Sequence, residues 1–344
     1  MKKITIMTEP IKLMNFNYWI RYLCNKFYFS KKINFLRPFR EIIWNFQPGY
    51  INRLEYGGHT AVTRSLIEGF NKIGFNNYIY RPKSINEITQ EVHVLAGVDT
   101  LQQAIKLKKR GVITKLTAGP NIVVFADENN SIIADTNIDL YLQPSKWATD
   151  LHIEIEPRLK GRCIAWPSGI DITKFNPNVK IKEGISNVLI YHKAESDQFC
   201  HRIEYILKKY GYNPIIVKYH KYEWDEYIEI LNKCIFSICI SRQESQGIFL
   251  AEIWAMDVPT LCYDPHYYVW DKPYYREVVD NISTCPYLCE KTGLRWGEIS
   301  ELEKIIQNIP ETISQFEPRK WVMENMTDEI CAKKFLKIMD IQST

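Results

Sequence analysis

Two glutamates eight residues apart, Glu244 and Glu252, frame a glycine in the stretch ESQGIFLAEIWAMDVPTLCYD (244–264). The apolar run IFSICI (235–240) reads as a strand, SRQESQG as a loop and GIFLAEIWAM as a helix. Gly247 falls at the loop-to-helix turn. A glycine there lets backbone approach a ligand, and the first helical turn offers unpaired N–H groups at the positive end of the dipole. These features suit a phosphate. Glu244 stands just before the turn and Glu252 lies inside the helix, and carboxylates accept hydrogen bonds from vicinal hydroxyls. One acid for each of two polyhydroxy rings, with a diphosphate between them, matches the chemistry of a nucleotide sugar. In a chain with 40 acidic residues a spacing of eight also arises on solvated helix faces, so the whole string carries the reading.

The elements that must position this stretch alternate along the chain. EIIWNF (41–46), EVHVLAG (91–97), NIVVFA (121–126) and IDLYLQP (138–144) read as strands. Between them HTAVTRSLIEGFNKIGF (59–75) reads as a helix, with Val62, Leu66, Phe70 and Ile73 in one stripe. A second helix runs from Asp99 to about Arg110, with Asp99 and Thr100 as natural caps, and SKWATDLHIEI is a third, capped by Ser145. After the punctuated segment WPSGIDITKFNP (166–177) the alternation resumes with NVLIYHK, NPIIVKY, IFSICI and PTLCYD as strands. The fold class is α/β: two doubly wound parallel sheets, with a cleft expected at the carboxyl ends of the strands.

At 344 residues the chain suits about two domains, and 46% hydrophobic composition describes a globular protein. A net charge of +4 does not point to nucleic acid. Nine cysteines without zinc spacing, and with no secretory signal, fit a reducing cytoplasm; Cys285 and Cys289 are read as incidental neighbours. No metal site is expected. Residues 1–40 read as a basic aromatic extension: Lys12, Arg21, Lys26, Lys31 and Lys32 alternate with Phe16, Trp19, Tyr22 and Phe27, and residues 11–40 hold no acid. That composition fits peripheral contact with an anionic membrane surface; it equally fits rings packed on the domain beneath solvated cations.

The string at 244–264 resembles the E-x7-E segment of retaining glycosyltransferases with the GT-B fold, in the family-four type. Glu244, Ser245, Gly247, Ile248, Glu252, Ala255 and Pro259 match, and Asp257 stands where glycine is usual. LQPSKWATD (142–150), WPSGIDITKFNP, YGGHTAVTRSLIEGFNKIGF (56–75) and EPRKWVMENMTDEICAKKFLKIM (317–339) resemble other segments of that family. The resemblance implies two Rossmann-like domains facing across a cleft. Residues 1–168 would take the acceptor, 169–318 the donor, and 319–344 would form the terminal helix crossing back.

By the same resemblance Glu244 contacts donor-sugar hydroxyls and Glu252 holds the ribose. Gly247, Ile248 and Phe249 offer N–H groups to the distal phosphate, and Gly57 and Gly58 let a loop close on the pyrophosphate. The family's arginine and lysine pair is reduced here to Lys193, with Glu195 and Asp197 nearby. Lys193 is assigned to the leaving diphosphate, and Arg242 or Arg202 are candidates for the missing charge. His59 and Asp99 are possible site residues, whereas His93 reads as core. The implied activity is transfer of a sugar, with retention, from a nucleotide-diphosphate sugar to a glycan, lipid-linked or other hydroxyl acceptor, with no cofactor. An epimerase or phosphorylase on the same fold, and a non-catalytic nucleotide-sugar-binding or membrane-docking protein, are the alternatives.

Overall fold

The structure, a computed structural model, describes residues 2–8, 58–82, 84–178, 186–219, 221–272, 275–280 and 282–340. The chain forms two compact units, Met1–Trp166 with Ala332–Thr344, and Pro167–Cys331.

The first unit contains β1 (Ile4–Thr8), α1 (Gly58–Lys72), β2 (Tyr78–Tyr80), β3 (Glu91–Ala96), α2 (Val98–Lys109), β4 (Lys115–Asn121), β5 (Leu140–Gln143), α3 (Lys146–Ile155) and β6 (Cys163–Ala165). Its six strands are parallel in the order β2-β1-β3-β4-β5-β6. Parallel strands covered on both faces need near-continuous apolar runs, and Val92, Val94 and Leu95 of β3 are fully buried. The stripe on α1 turns inward as its spacing requires: Val62, Leu66 and Phe70 are buried, and Phe70 packs on Phe75 and Tyr78.

Three sequence expectations change here. Residues 4–8, inside the segment read as a basic aromatic extension, form an interior strand between β2 and β3, with Ile4 and Ile6 fully buried. The expected strand at 121–126 lies earlier, at Lys115–Asn121. It runs through Gly119-Pro120, a pair that reads as a turn, because Gly119 adopts φ 103° and a Cβ there would meet the Leu142 carbonyl at 2.1 Å. The cap of α2 is Gly97, not Asp99. The basic aromatic run at 11–40, the expected strand at 41–46 and Gly57 lie outside the described residues. No helix of the described residues is long and apolar enough to cross a membrane.

The second unit contains β7 (Asn187–His192), α4 (Asp197–Lys209), β8 (Asn213–Lys218), α5 (Trp224–Asn232), β9 (Phe236–Ile240), α6 (Ile248–Ala255) and β10 (Thr260–Tyr263). A hairpin, β11 (Tyr267–Lys272) and β12 (Tyr275–Asp280), precedes β13 (Gly293–Trp296). Helices α7 (Ile299–Thr312), α8 (Pro318–Asn325) and α9 (Asp328–Ile338) close the chain. The five-stranded sheet is parallel in the order β13-β10-β9-β7-β8. The chain returns to the first unit within α9, where Phe335 packs on Phe70 and Trp166.

Candidate functional site

Strand order decides which loops of the second unit meet. From β7 the chain crosses one way through α4 to β8; from β9 it crosses the other way through α6 to β10. The connections diverge between β7 and β9, a topological switch point of the kind where open α/β sheets bind ligands. Lys193 follows β7, and Ser241 and Glu244 follow β9. The ladder continues past the strands, with the Lys193 and Ala194 N–H groups donating to the Ile240 carbonyl at 3.0 and 3.2 Å. Adjacent strands lie about 4.8 Å apart, so residues far apart in sequence end side by side.

Lys193 Nζ donates to Glu244 Oε1 at 2.5 Å. The Ser241 hydroxyl donates to the same oxygen at 2.5 Å, and the Glu244 N–H is fixed to the Ser283 carbonyl at 3.0 Å. The Lys193 ammonium also lies 4.8 Å from the Tyr219 ring centroid and 5.6 Å from that of Phe249. Such contacts favour a cation over an aromatic face. The structure thus brings together Lys193, Glu244 and Phe249. Arg242 pairs instead with Glu195 at 3.4 Å. Arg202 lies on the outer side of α4, in a surface groove with His201, Tyr205 and Ile299.

Gly247 caps α6 in the left-handed region, at φ 72° and ψ 54°. The Leu250 and Ala251 N–H groups turn back to the Gly247 carbonyl. The Ile248 and Phe249 N–H groups therefore head the helix, where no intrahelical carbonyl can receive them. Gln246 holds the turn from behind. Its side-chain oxygen accepts from the Ser168 N–H and hydroxyl, each at 2.9 Å, and its nitrogen donates to the Ser168 carbonyl at 2.7 Å. Both residues are buried, so the clamp works without competition from water.

Helix α6 is apolar on nearly every side, and every residue from Phe249 to Ala255 is buried. Glu252 goes inside with it, at 3% exposure. It shares its surroundings with Tyr191, Tyr222 and Tyr227. Tyr191 stacks on Phe249 at 4.4 Å and shares a 3.1 Å hydrogen bond with the Tyr222 hydroxyl. Burial pushes Tyr222 up to about 12; the Tyr191 hydrogen bond opposes this and the Glu252 charge adds to it. Tyr227 is likewise raised, by burial first and then by Tyr222 and Glu252.

Ser241, Gln246, Tyr219 and the tyrosines around Glu252 were not legible as site residues. The one available signal was Ser241, a hydroxyl three residues before Glu244 at the end of a buried strand.

The remaining candidates belong to the first unit. Gly58 opens α1 at φ 53°, and Asp99 is exposed in the first turn of α2. They follow β1 and β3, between which that sheet has its own switch point. The His59 side chain lies outside the described residues. His93 is fully buried in β3, with Nδ1 2.8 Å from the Thr117 hydroxyl and its ring against Phe335. Burial lowers its pKa to about 3, so it is a neutral core residue. Cys285 and Cys289 are free thiols.

No protein-family model matches this chain, and no curated protein does. Solved structures match along its whole length. A glycosyltransferase from Rickettsia africae aligns over 98% of this chain and 97% of its own, with TM-score 0.55 and 11% identity. The lipopolysaccharide outer core galactosyltransferase WaaB aligns over 98% and 99%, with TM-score 0.54 and 10% identity. HepE from Anabaena, solved in complex with UDP and glucose, aligns over 99% and 100%, with TM-score 0.52 and 11% identity. The shared property is the fold: two Rossmann-like domains with parallel sheets, as in GT-B glycosyltransferase structures.

Proposed function

We propose that this chain is a retaining glycosyltransferase that takes its sugar from a nucleotide-diphosphate donor. The observation that carries this reading is the Lys193–Glu244 contact beside the Gly247 turn, at the switch point of the second sheet. The diphosphate would lie on the Ile248 and Phe249 N–H groups, with the Lys193 ammonium beside it. Glu244 would receive hydroxyls of the transferred sugar, and Glu252 the ribose. As the bond between the anomeric carbon and phosphate breaks, negative charge grows on the leaving diphosphate. Lys193 and the helix N-terminus oppose that charge from fixed positions. The acceptor hydroxyl attacks from the leaving-group side and gives its proton to the departing phosphate oxygen. The products are the glycoside, with its anomeric configuration kept, and the nucleoside diphosphate.

Calorimetry against a panel of nucleotide-diphosphate sugars tests donor binding, and the anomeric proton coupling of the product tests retention. Lys193→Ala should slow transfer about 100- to 1,000-fold, the scale for one preorganised electrostatic partner. Glu244→Ala should lower turnover more than affinity for free nucleoside diphosphate. An inverted product removes the retaining assignment, and no binding across the panel removes the donor. A second reading, a nucleotide-sugar-binding protein without turnover, is favoured by one observation: Lys193 and Arg242 both already face acids. Donor binding without transfer or hydrolysis across an acceptor panel would select it.

A further inference from the structure

Ser241 is 2% exposed, at the point where β9 gives way to the loop carrying Glu244. Its hydroxyl and the Lys193 ammonium converge on one carboxylate oxygen, each at 2.5 Å. The two donors differ in what they can fix. An ammonium is a compact point charge on a flexible stem and sets distance more than direction. A buried hydroxyl on a one-carbon stem, fixed to a strand end, sets direction. The Glu244 backbone is tied to Ser283, and one carboxylate oxygen is held from two sides.

We infer that Ser241 is a positioning residue for Glu244, setting the carboxylate plane that a donor sugar meets. This rests on Glu244 acting as the sugar contact. Ser241 itself touches no substrate; it acts through Glu244. The serine also keeps the carboxylate oriented if the ammonium shifts toward a bound diphosphate, because its hydrogen bond does not depend on Lys193.

The test compares Ser241→Ala, Ser241→Thr, Glu244→Ala and the double variant Ser241→Ala/Glu244→Ala. Alanine removes a single oxygen, so the fold should persist. Losing a hydrogen bond to a charged group should lower kcat/KM for the donor about 10- to 100-fold. The loss should fall on kcat, with affinity for free nucleoside diphosphate unchanged. Ser241→Thr keeps a hydroxyl in the same direction and should recover most of the activity. In the Glu244→Ala background, which removes the acceptor, Ser241→Ala should have less than about a twofold further effect, because residues acting as a unit are not additive. Additive losses, or an equal fall in nucleotide affinity, would overturn the inference. A protein that binds no nucleotide sugar would refute the functional reading instead. Urea unfolding of the same four proteins then decides the Ser241 contact: additive changes refute it, and coupling of about fivefold or more in the unfolding constant supports it.

Discussion

Lys193 and Glu244 are unequal partners, and the inequality can be measured without a substrate. Side-chain exposure is 26% for the lysine and 9% for the glutamate. Removing the lysine takes this cation from a carboxylate that water scarcely reaches. Removing the glutamate leaves an ammonium on a long stem that can turn to solvent. Breaking a buried pair costs about 3–5 kcal/mol, whereas exposed pairs contribute up to about 1 kcal/mol. The Tyr219 and Phe249 faces add about 0.5–1 kcal/mol that is lost with the cation. Lys193→Ala should therefore destabilise the second unit by about 2–4 kcal/mol, and Glu244→Gln by about 1 kcal/mol. The double variant Lys193→Met/Glu244→Leu should regain much of the larger loss, because apolar replacements of buried pairs are often well tolerated. Urea unfolding followed by tryptophan fluorescence is a suitable assay, fitted with two transitions because the chain has two units. A Glu244→Gln loss equal to or larger than that of Lys193→Ala would refute the argument, as would additive losses in the double variant.

Gly247→Ala forces a side chain into the left-handed region and should cost about 1–2 kcal/mol while weakening nucleoside diphosphate binding; unchanged binding would detach the turn from the phosphate. Gln246→Leu leaves the buried Ser168 groups without their partner and should cost about 2–3 kcal/mol, read by urea unfolding. Ile6→Ala should destabilise the first unit by about 2–5 kcal/mol, because the residue is fully buried on a strand flanked by β2 and β3; a loss below about 1 kcal/mol would refute that placement. His93 is neutral in the fold and titrates near 6.5 when unfolded, so its contribution is full above that pH and is lost as pH falls from about 6.5 toward about 3. His93→Gln should flatten the acid side of the stability–pH curve of the first unit; an identical slope would remove His93 as a cause.

The sequence made the second unit more legible than the first because its strands are short apolar runs bounded by clear caps. In the second unit Ser196 caps α4 by accepting from the Phe199 N–H, and in the first unit Ser145 accepts the helix N–H expected of it. The misses in the first unit have local causes. In β4 the dipeptide Gly119-Pro120 reads as a break, yet it is the close approach of Leu142 that calls for the glycine. In β1 five residues give too short a run to stand out before the basic aromatic segment. Asp257 shows the converse. Its φ of 57° accounts for the glycine expected there, and the short polar side chain tolerates that region while accepting from the Arg319 N–H at 3.3 Å.

The candidate site reads in the sequence as a set of residue types and not as an arrangement. The spacing of eight from Glu244 to Glu252 suggests two acids reaching outward from one turn and one helix. What fixes their surroundings is elsewhere in the chain: β7 brings Lys193 to Glu244, and the apolar character of α6 takes Glu252 into the interior. The two carboxylates consequently have different energetics. Glu244 is balanced by a cation, and the Ser241 hydrogen bond stays with its carboxylate if a diphosphate draws Lys193 away. Glu252 sits among tyrosines whose own ionisation is suppressed by burial, so a ribose bound there, as proposed, would meet neutral hydroxyls and rings. Carboxylate removal at the first position should therefore register chiefly in turnover, and at the second in donor affinity and unfolding together.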